Sequence, residues 1–248
     1  MQRFSAVSAV PFLPYINYYP VRPMQRSSAT ARRLVGGAVC LDFANAIDWD
    51  SDGNERPAHA DAWAAPADLA LWGTRVGLVD SAPPVVAHGR ELAAARSLRR
   101  ALHDLFAAIA ARQEPSREAV ARLEGDYAQA ISASELTEVD GSWQLAWAHD
   151  DPRRIRFAAA VDAVDLLRDD ERLARVRMCP GHNCGWLFVD TSGRRRWCSM
   201  EVCGARAKMR RLYERQRRTR MDLLGGRRVS RDDTAVHPSG ECRNAADR

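Results

Sequence analysis

Four cysteines gathered within 25 residues constrain this 248-residue chain more than any other feature. Four residues lie between Cys179 and Cys184, four lie between Cys198 and Cys203, and thirteen separate the two pairs. Paired cysteines at such spacings supply four soft donors, and a zinc ion bound by four thiolates has a closed tetrahedral sphere. Two disulfides are the alternative, but nothing in the chain supports secretion and the spacing is symmetrical. His182, inside the first pair, could replace a thiol, although four cysteines already complete the set. Between the pairs, "GWLFVD" reads as a strand, "TSG" as a turn and "RRRWC" as the returning strand. Trp186, Phe188 and Trp197 are expected beside the metal, because so small a module has little other core. On this reading, loss of Cys198 unfolds the module and leaves the rest of the chain standing.

The segment that follows is strongly basic. Residues 194–228 hold thirteen Lys or Arg against three acids, a net +10, whereas the whole chain carries +5. An acidic body with a basic arm points to a polyanionic partner at that end. "SMEVCGARAKMRRLYERQR" has helical spacing, with Ser199 as its N-cap and Val202, Met209, Leu212 and Tyr213 on an apolar face. The candidate nucleic-acid contacts are Arg194, Arg195 and Arg196 on the hairpin, and Arg206, Lys208, Arg210, Arg211, Arg215 and Arg218 on the helix. Solvated helix faces mix signs, and this one does not.

Upstream, the pattern is mostly helical. Ala38 to Phe43 is an apolar run that periodicity leaves open between strand and helix. A polar loop over 50–63 precedes a short helix opened by Pro66. Pro83-Pro84 ends a linker. From Val85 to Arg112, Leu92, Ala95, Leu98, Leu102, Leu105, Phe106 and Ile109 form one apolar stripe with arginines opposite. A further helix follows Ser116, and then alternation around Asp140-Gly141 predicts a hairpin. Helical spacing returns from Asp151 to Asp170. The fold class is therefore mainly α with a small β-hairpin (α+β): a helical N-terminal domain plus a small ββα, treble-clef-like zinc module.

Several functions are disfavoured. No run of about twenty apolar residues is present, as a membrane-spanning helix would need, so a cytoplasmic protein without membrane partners is expected. There is no phosphate-binding glycine loop, nucleophile elbow or His-Glu metal motif, and a four-thiolate zinc leaves no position for activated water. An enzyme is not expected. Asp42 and Asn45, three residues apart, read as hydrogen-bonding groups at a turn or cap, with a small-molecule pocket as the functional alternative. His103 reads as a packed or surface helix residue and Cys40 as a small buried hydrophobe. Residues 1–32 hold no acids, and prolines at 11, 14 and 20 interrupt their apolar stretch. They read as a disordered extension, or as an early start with Met24 the true one, rather than as a secretory signal.

Along residues 176–217, "CGWLFVDTSGRRRWCSMEVCGARAKMRR" resembles the CGNR zinc finger. The resemblance implies Cys179, Cys184, Cys198 and Cys203 as zinc ligands. The naming stretch departs here as Cys203-Gly204-Ala205-Arg206, and Ala205 cannot make the hydrogen bonds of the family's asparagine. Upstream, "GGAVCLDFANAIDW" is similar to the Leu-Asp-x-x-Asn opening of the ABATE domain, with "APADLALWGTRVGL" and the hairpin as further cues. These resemblances imply a bacterial, stress-induced transcription regulator with an ABATE-like domain over 33–170 and a finger with its basic helix over 176–220, and the polar composition of 221–248 reads as a disordered tail. DNA is the expected partner, and the helical domain is expected to sense an effector or form a homodimer. The alternative is an RNA- or protein-binding adaptor whose zinc module is only a structural staple.

Overall fold

The computed structural model describes residues 33–56, 61–79, 89–139 and 141–225. The extension expected over 1–32, the Pro83-Pro84 linker, Asp140 and the tail over 226–248 lie outside the described residues. The chain divides into two compact units, the first ending at Gly204 and the second beginning at Ala205.

The first unit opens with α1 (Val39–Ala44), which settles the apolar run over 38–43 as a short buried helix. Its N-terminus is served from a distance, since Cys40 N–H donates to Asp162 Oδ2 at 2.7 Å. The next helix, α2 (Pro66–Arg75), starts at its proline, and Asp68 reaches back to accept from Ala65 N–H at 2.7 Å. The long helix α3 (Gly89–Ala110) buries Leu92, Ala95, Leu98, Leu102, Leu105 and Phe106 as its stripe predicts. Arg99 departs from the expected exposed arginine face. It is fully buried, because Asp61 accepts from its guanidinium at 2.7 and 3.2 Å and the Trp63 ring lies 5.0 Å from its centre.

Ser116 caps α4 (Arg117–Ser132), its Oγ accepting from Ala119 N–H. Strands β1 (Glu135–Val139) and β2 (Ser142–Ala146) then pair antiparallel, with Val139 opposite Ser142. Gly141, just before β2, takes a positive φ (+79°), the conformation that tight hairpin turns require. Two helices follow, α5 (Arg154–Arg168) and the single turn α6 (Asp170–Leu173), capped by Asp169. Between α3, α4 and α5, Arg156 is buried and paired with Glu91 and Asp126, and Arg122 also bonds Asp126. Each of these buried charges has a partner, as burial in low dielectric demands.

Strands β3 (Val176–Met178) and β4 (Leu187–Val189) pair antiparallel, Val176 with Val189 and Met178 with Leu187. The expected return strand "RRRWC" does not form. The outer edge of β4 is occupied by the N-terminal part of the unit instead: Val189 N–H donates to Gly36 O at 2.8 Å, and Asn45 bonds both sides of Leu187. The hairpin is shared between two apolar clusters, with Phe188 packed among the cysteines. Val176, Leu187 and Val189 lie in the main apolar core with α1, α2, α3 and α5. A π-helical turn, Met200–Gly204, ends the unit, with Ser199 Oγ accepting from Val202 N–H as an N-cap.

The second unit contains α7 (Ala205–Gly225), which runs past the expected helix end at 220. Its described side chains from Lys208 to Met221 are all exposed. The architecture is thus mainly helical with two small antiparallel hairpins, and the order β3, β4, α7 at the C-terminal side is ββα. Among the described residues no helix is long and apolar enough to cross a membrane.

Candidate metal centre

The first cysteine pair sits in the β3–β4 turn. Cys179 N–H donates to Trp186 O at 2.9 Å and Cys184 N–H to Gly181 O at 3.0 Å, which closes a tight loop around the two thiols. Gly181 leaves room there, since a Cβ would stand a tight 3.0 Å from Cys203 Sγ. The second pair arrives from the turn Asp190–Gly193 and the π-helical turn, and Cys198 N–H points at Cys179 Sγ at 3.3 Å.

All four Sγ atoms lie within 4.8 Å of one another. The Cys184–Cys198 separation is 3.7 Å and the Cys198–Cys203 separation 3.5 Å. These distances exceed a disulfide bond of about 2.05 Å. They match the edge of a tetrahedron with zinc–sulfur bonds of about 2.3 Å, which is roughly 3.8 Å. His182 is exposed and stands outside this donor set. Phe188, Trp186, Trp197, Val202 and Val35 wrap the thiols in apolar surface. Hydrogen bonds from the Cys184 and Cys198 thiols push Cys179 down from the ordinary thiol range. Cys184 and Cys198 are pushed up by the same contacts, and Cys203 by burial. A divalent ion would ionise the thiols and release their protons. The donor set fits zinc, which when bound supplies a rigid four-way link with no open coordination position.

The surroundings tie this centre to the helices. Asn45 Nδ2 donates to Leu187 O at 2.8 Å and its Oδ1 accepts from Leu187 N–H at 2.9 Å. Trp186 Nε1 donates to Ile47 O, and Gly185 N–H to Trp49 O. Gly185 permits this approach, since a Cβ would lie 2.5 Å from Asp50 O. His103 is fully buried, stacks on Trp49 with ring centres 3.7 Å apart and places Nε2 2.9 Å from Gly185 O. With a carbonyl as acceptor, Nε2 must carry the proton.

Asp42 Oδ1 accepts from Val35 N–H at 2.8 Å and from Gly36 N–H at 2.7 Å. The side chains of Asp42 and Asn45 are thus spent on backbone groups, while Asp42 Oδ2 is buried without a hydrogen-bond partner. Burial pushes Asp42 up to about 7 against its two backbone donors, and burial likewise pushes Asp162 up to about 7. Cys40 is buried and its thiol pushed up by that burial, as a small apolar residue would be.

Of the nine candidate nucleic-acid contacts, Arg194 and Arg196 are exposed in the first unit. Arg206, Lys208, Arg210, Arg211, Arg215 and Arg218 are exposed on α7. Arg195 is different. Its guanidinium turns inward to Val35 O at 2.8 Å, Cys198 O at 2.6 Å and Trp197 O at 3.2 Å, and lies 4.3 Å from the Phe188 ring centre. Sequence reasoning missed this, and it also missed His103 as a link to the centre and Asp162 as the acceptor for α1. A signal was present for Asp162, a lone acid in the apolar run Ala158–Ala163.

The family model for the CGNR zinc finger matches residues 175–216, and that for ABATE, described as "Putative stress-induced transcription regulator", matches residues 37–170. A search of curated proteins returned no match. With more than half of its length matched by the second model and the four thiols placed as the first requires, the chain belongs to the ABATE family and carries a CGNR zinc finger.

Proposed function

We propose that this protein is a zinc-dependent, non-enzymatic transcription regulator of the cytoplasm that binds DNA through α7. Cys179, Cys184, Cys198 and Cys203 hold one zinc, and the helical part senses an effector or forms a dimer. The observation that carries the reading is α7 itself. From Arg206 to Arg220 it bears eight Lys or Arg against one acid, with every described side chain from Lys208 onward exposed. An exposed, strongly positive helix suits a phosphate backbone. Arg211 and Arg218 share one face and Arg215 stands at its edge, a spacing that can follow one phosphate strand.

The test is a salt series of DNA affinity for the parent chain and for the double variant Arg211→Ala, Arg215→Ala. Each phosphate neutralised contributes about 0.9 to the slope of log affinity against log salt. The double variant should bind more weakly, with a slope flatter by roughly two, and keep its zinc. Equal affinity of parent and variant across the series removes α7 as the contact surface. A second reading, a protein- or RNA-binding adaptor stapled by zinc, is favoured by the packing of β3 and β4 into the helical core. Preference for single-stranded RNA, or no nucleic-acid affinity, selects it.

A further inference from the structure

We infer that Arg195 is the positioning residue of the metal centre: its guanidinium balances the charge of the bound tetrathiolate and fixes the second cysteine pair against the segment at Val35. The inference rests on the reading of the four cysteines as zinc ligands.

A divalent ion with four thiolates carries a net charge of about −2. Here that charge would sit in a shell of Val35, Phe188, Trp186, Trp197 and Val202, which offers no countercharge. A buried anion without a partner is strongly disfavoured. Among the arginines near the cysteine loops, Arg194 is exposed. Arg33 is also exposed and is paired with Glu201, and the exposed Arg196 lies 5.9 Å from the Trp197 ring centre. Arg195 alone of these turns inward. Its Nη2 donates to the carbonyl of the ligand residue Cys198 at 2.6 Å and to Val35 O at 2.8 Å, and its Nε to Trp197 O at 3.2 Å.

Its backbone is fixed as well. Asp190 Oδ1 accepts from Arg195 N–H at 3.1 Å and from Ser192 Oγ at 3.1 Å, while Ser192 Oγ accepts from Arg194 N–H. The guanidinium carbon lies over the ring of Phe188, which belongs to the metal shell, 4.3 Å from its centre. Val35, the far partner, is itself held by Asp42 Oδ1. A forked, permanently charged group is therefore locked between a metal ligand's backbone and the chain that leads into α1, a placement an ammonium could not reproduce bond for bond. Outer partners of this kind shape metal affinity by orienting the ligands and setting their charge.

The experiment uses the full chain as parent, Arg195→Met, Arg195→Gln, Arg195→Lys and the neighbour Arg196→Met. Zinc is titrated against a chromophoric chelator, and melting of the helical signal is recorded for zinc-loaded and zinc-free forms. Arg195→Met should lose zinc affinity by roughly ten- to a hundredfold, with Arg196→Met matching the parent. Arg195→Lys should recover part of the loss and Arg195→Gln less, because glutamine retains donors without charge. Parent affinity in Arg195→Met overturns the inference. So does an equal fall in melting temperature of loaded and free forms without recovery by lysine, which would make Arg195 a packing residue only. If Arg195→Met does not fold, lysine binding zinc more tightly than glutamine supports the inference and equal affinities overturn it. A parent that takes up no zinc overturns the metal reading together with this one. DNA affinity does not enter the readout, so failure of α7 as a DNA contact is seen separately.

Discussion

Replacing Asn45 with alanine would strip both partners from the Leu187 peptide group, which is buried between α1 and the cysteine loops. An unmet buried donor or acceptor costs about 1 to 3 kcal/mol, so Asn45→Ala should destabilise the zinc-loaded protein by roughly 2 to 4 kcal/mol in urea unfolding. An unchanged midpoint would show that the clamp carries no stability. Asp42 makes a different prediction. Its carboxyl is pushed up to about 7 by burial, so between the usual carboxylate value and pH 7 the folded state binds a proton that the unfolded state has released. Its contribution is present at low pH and lost as pH rises through about 7. Asp42→Asn keeps an oxygen for Val35 and Gly36 while removing that ionisation. From pH 6 to 8 the variant's stability should decline less than the parent's, and parallel pH profiles would refute the burial argument.

The β3–β4 hairpin changes what metal loss means. Its strands contribute Val176, Leu187 and Val189 to the main core, so zinc removal cannot be confined to a detachable module. Cys198→Ser, or a strong chelator, should lower the melting temperature of the helical signal as a whole. A helical transition left at the parent temperature would restore the picture of an independent finger. Much of this element level was legible in the sequence. Cysteine spacing pointed to the four donors, the apolar stripe to α3, Ser116 to the start of α4 and the Asp-Gly pair to the first hairpin. These are local signals, carried by residues close in the chain. The pairing of β4 was not legible, because its edge is covered by Gly36 and Asn45, more than 140 residues earlier. Arg195 looked like one arginine in a basic triplet. Only the inward turn at Asp190–Gly193 separates it from Arg194 and Arg196, and composition carries no trace of that.

At the scale of the molecule, charge is partitioned by sequence: +10 over residues 194–228 leaves the remainder at −5. Were about six cations of α7 to meet phosphates, raising salt from 50 to 200 mM would weaken DNA binding on the order of a thousandfold, and the Arg211→Ala, Arg215→Ala variant by only about a hundredfold. Measuring both at each end of that range fixes the number of contacts as well as their location. The ion pairs of Arg156 with Glu91 and Asp126 would hardly register the same change, since all three side chains are buried beyond reach of screening. The link between Asn45 and Leu187 has a further consequence, in time. The two residues are 142 positions apart, and chains are synthesised at roughly 5 to 20 residues per second. On the ribosome, α1 must therefore wait on the order of ten seconds for the strand that completes its surroundings. During that interval the Asn45 side chain has no Leu187 backbone to bond, and the window closes only when β4, just after the first cysteine pair, has been made.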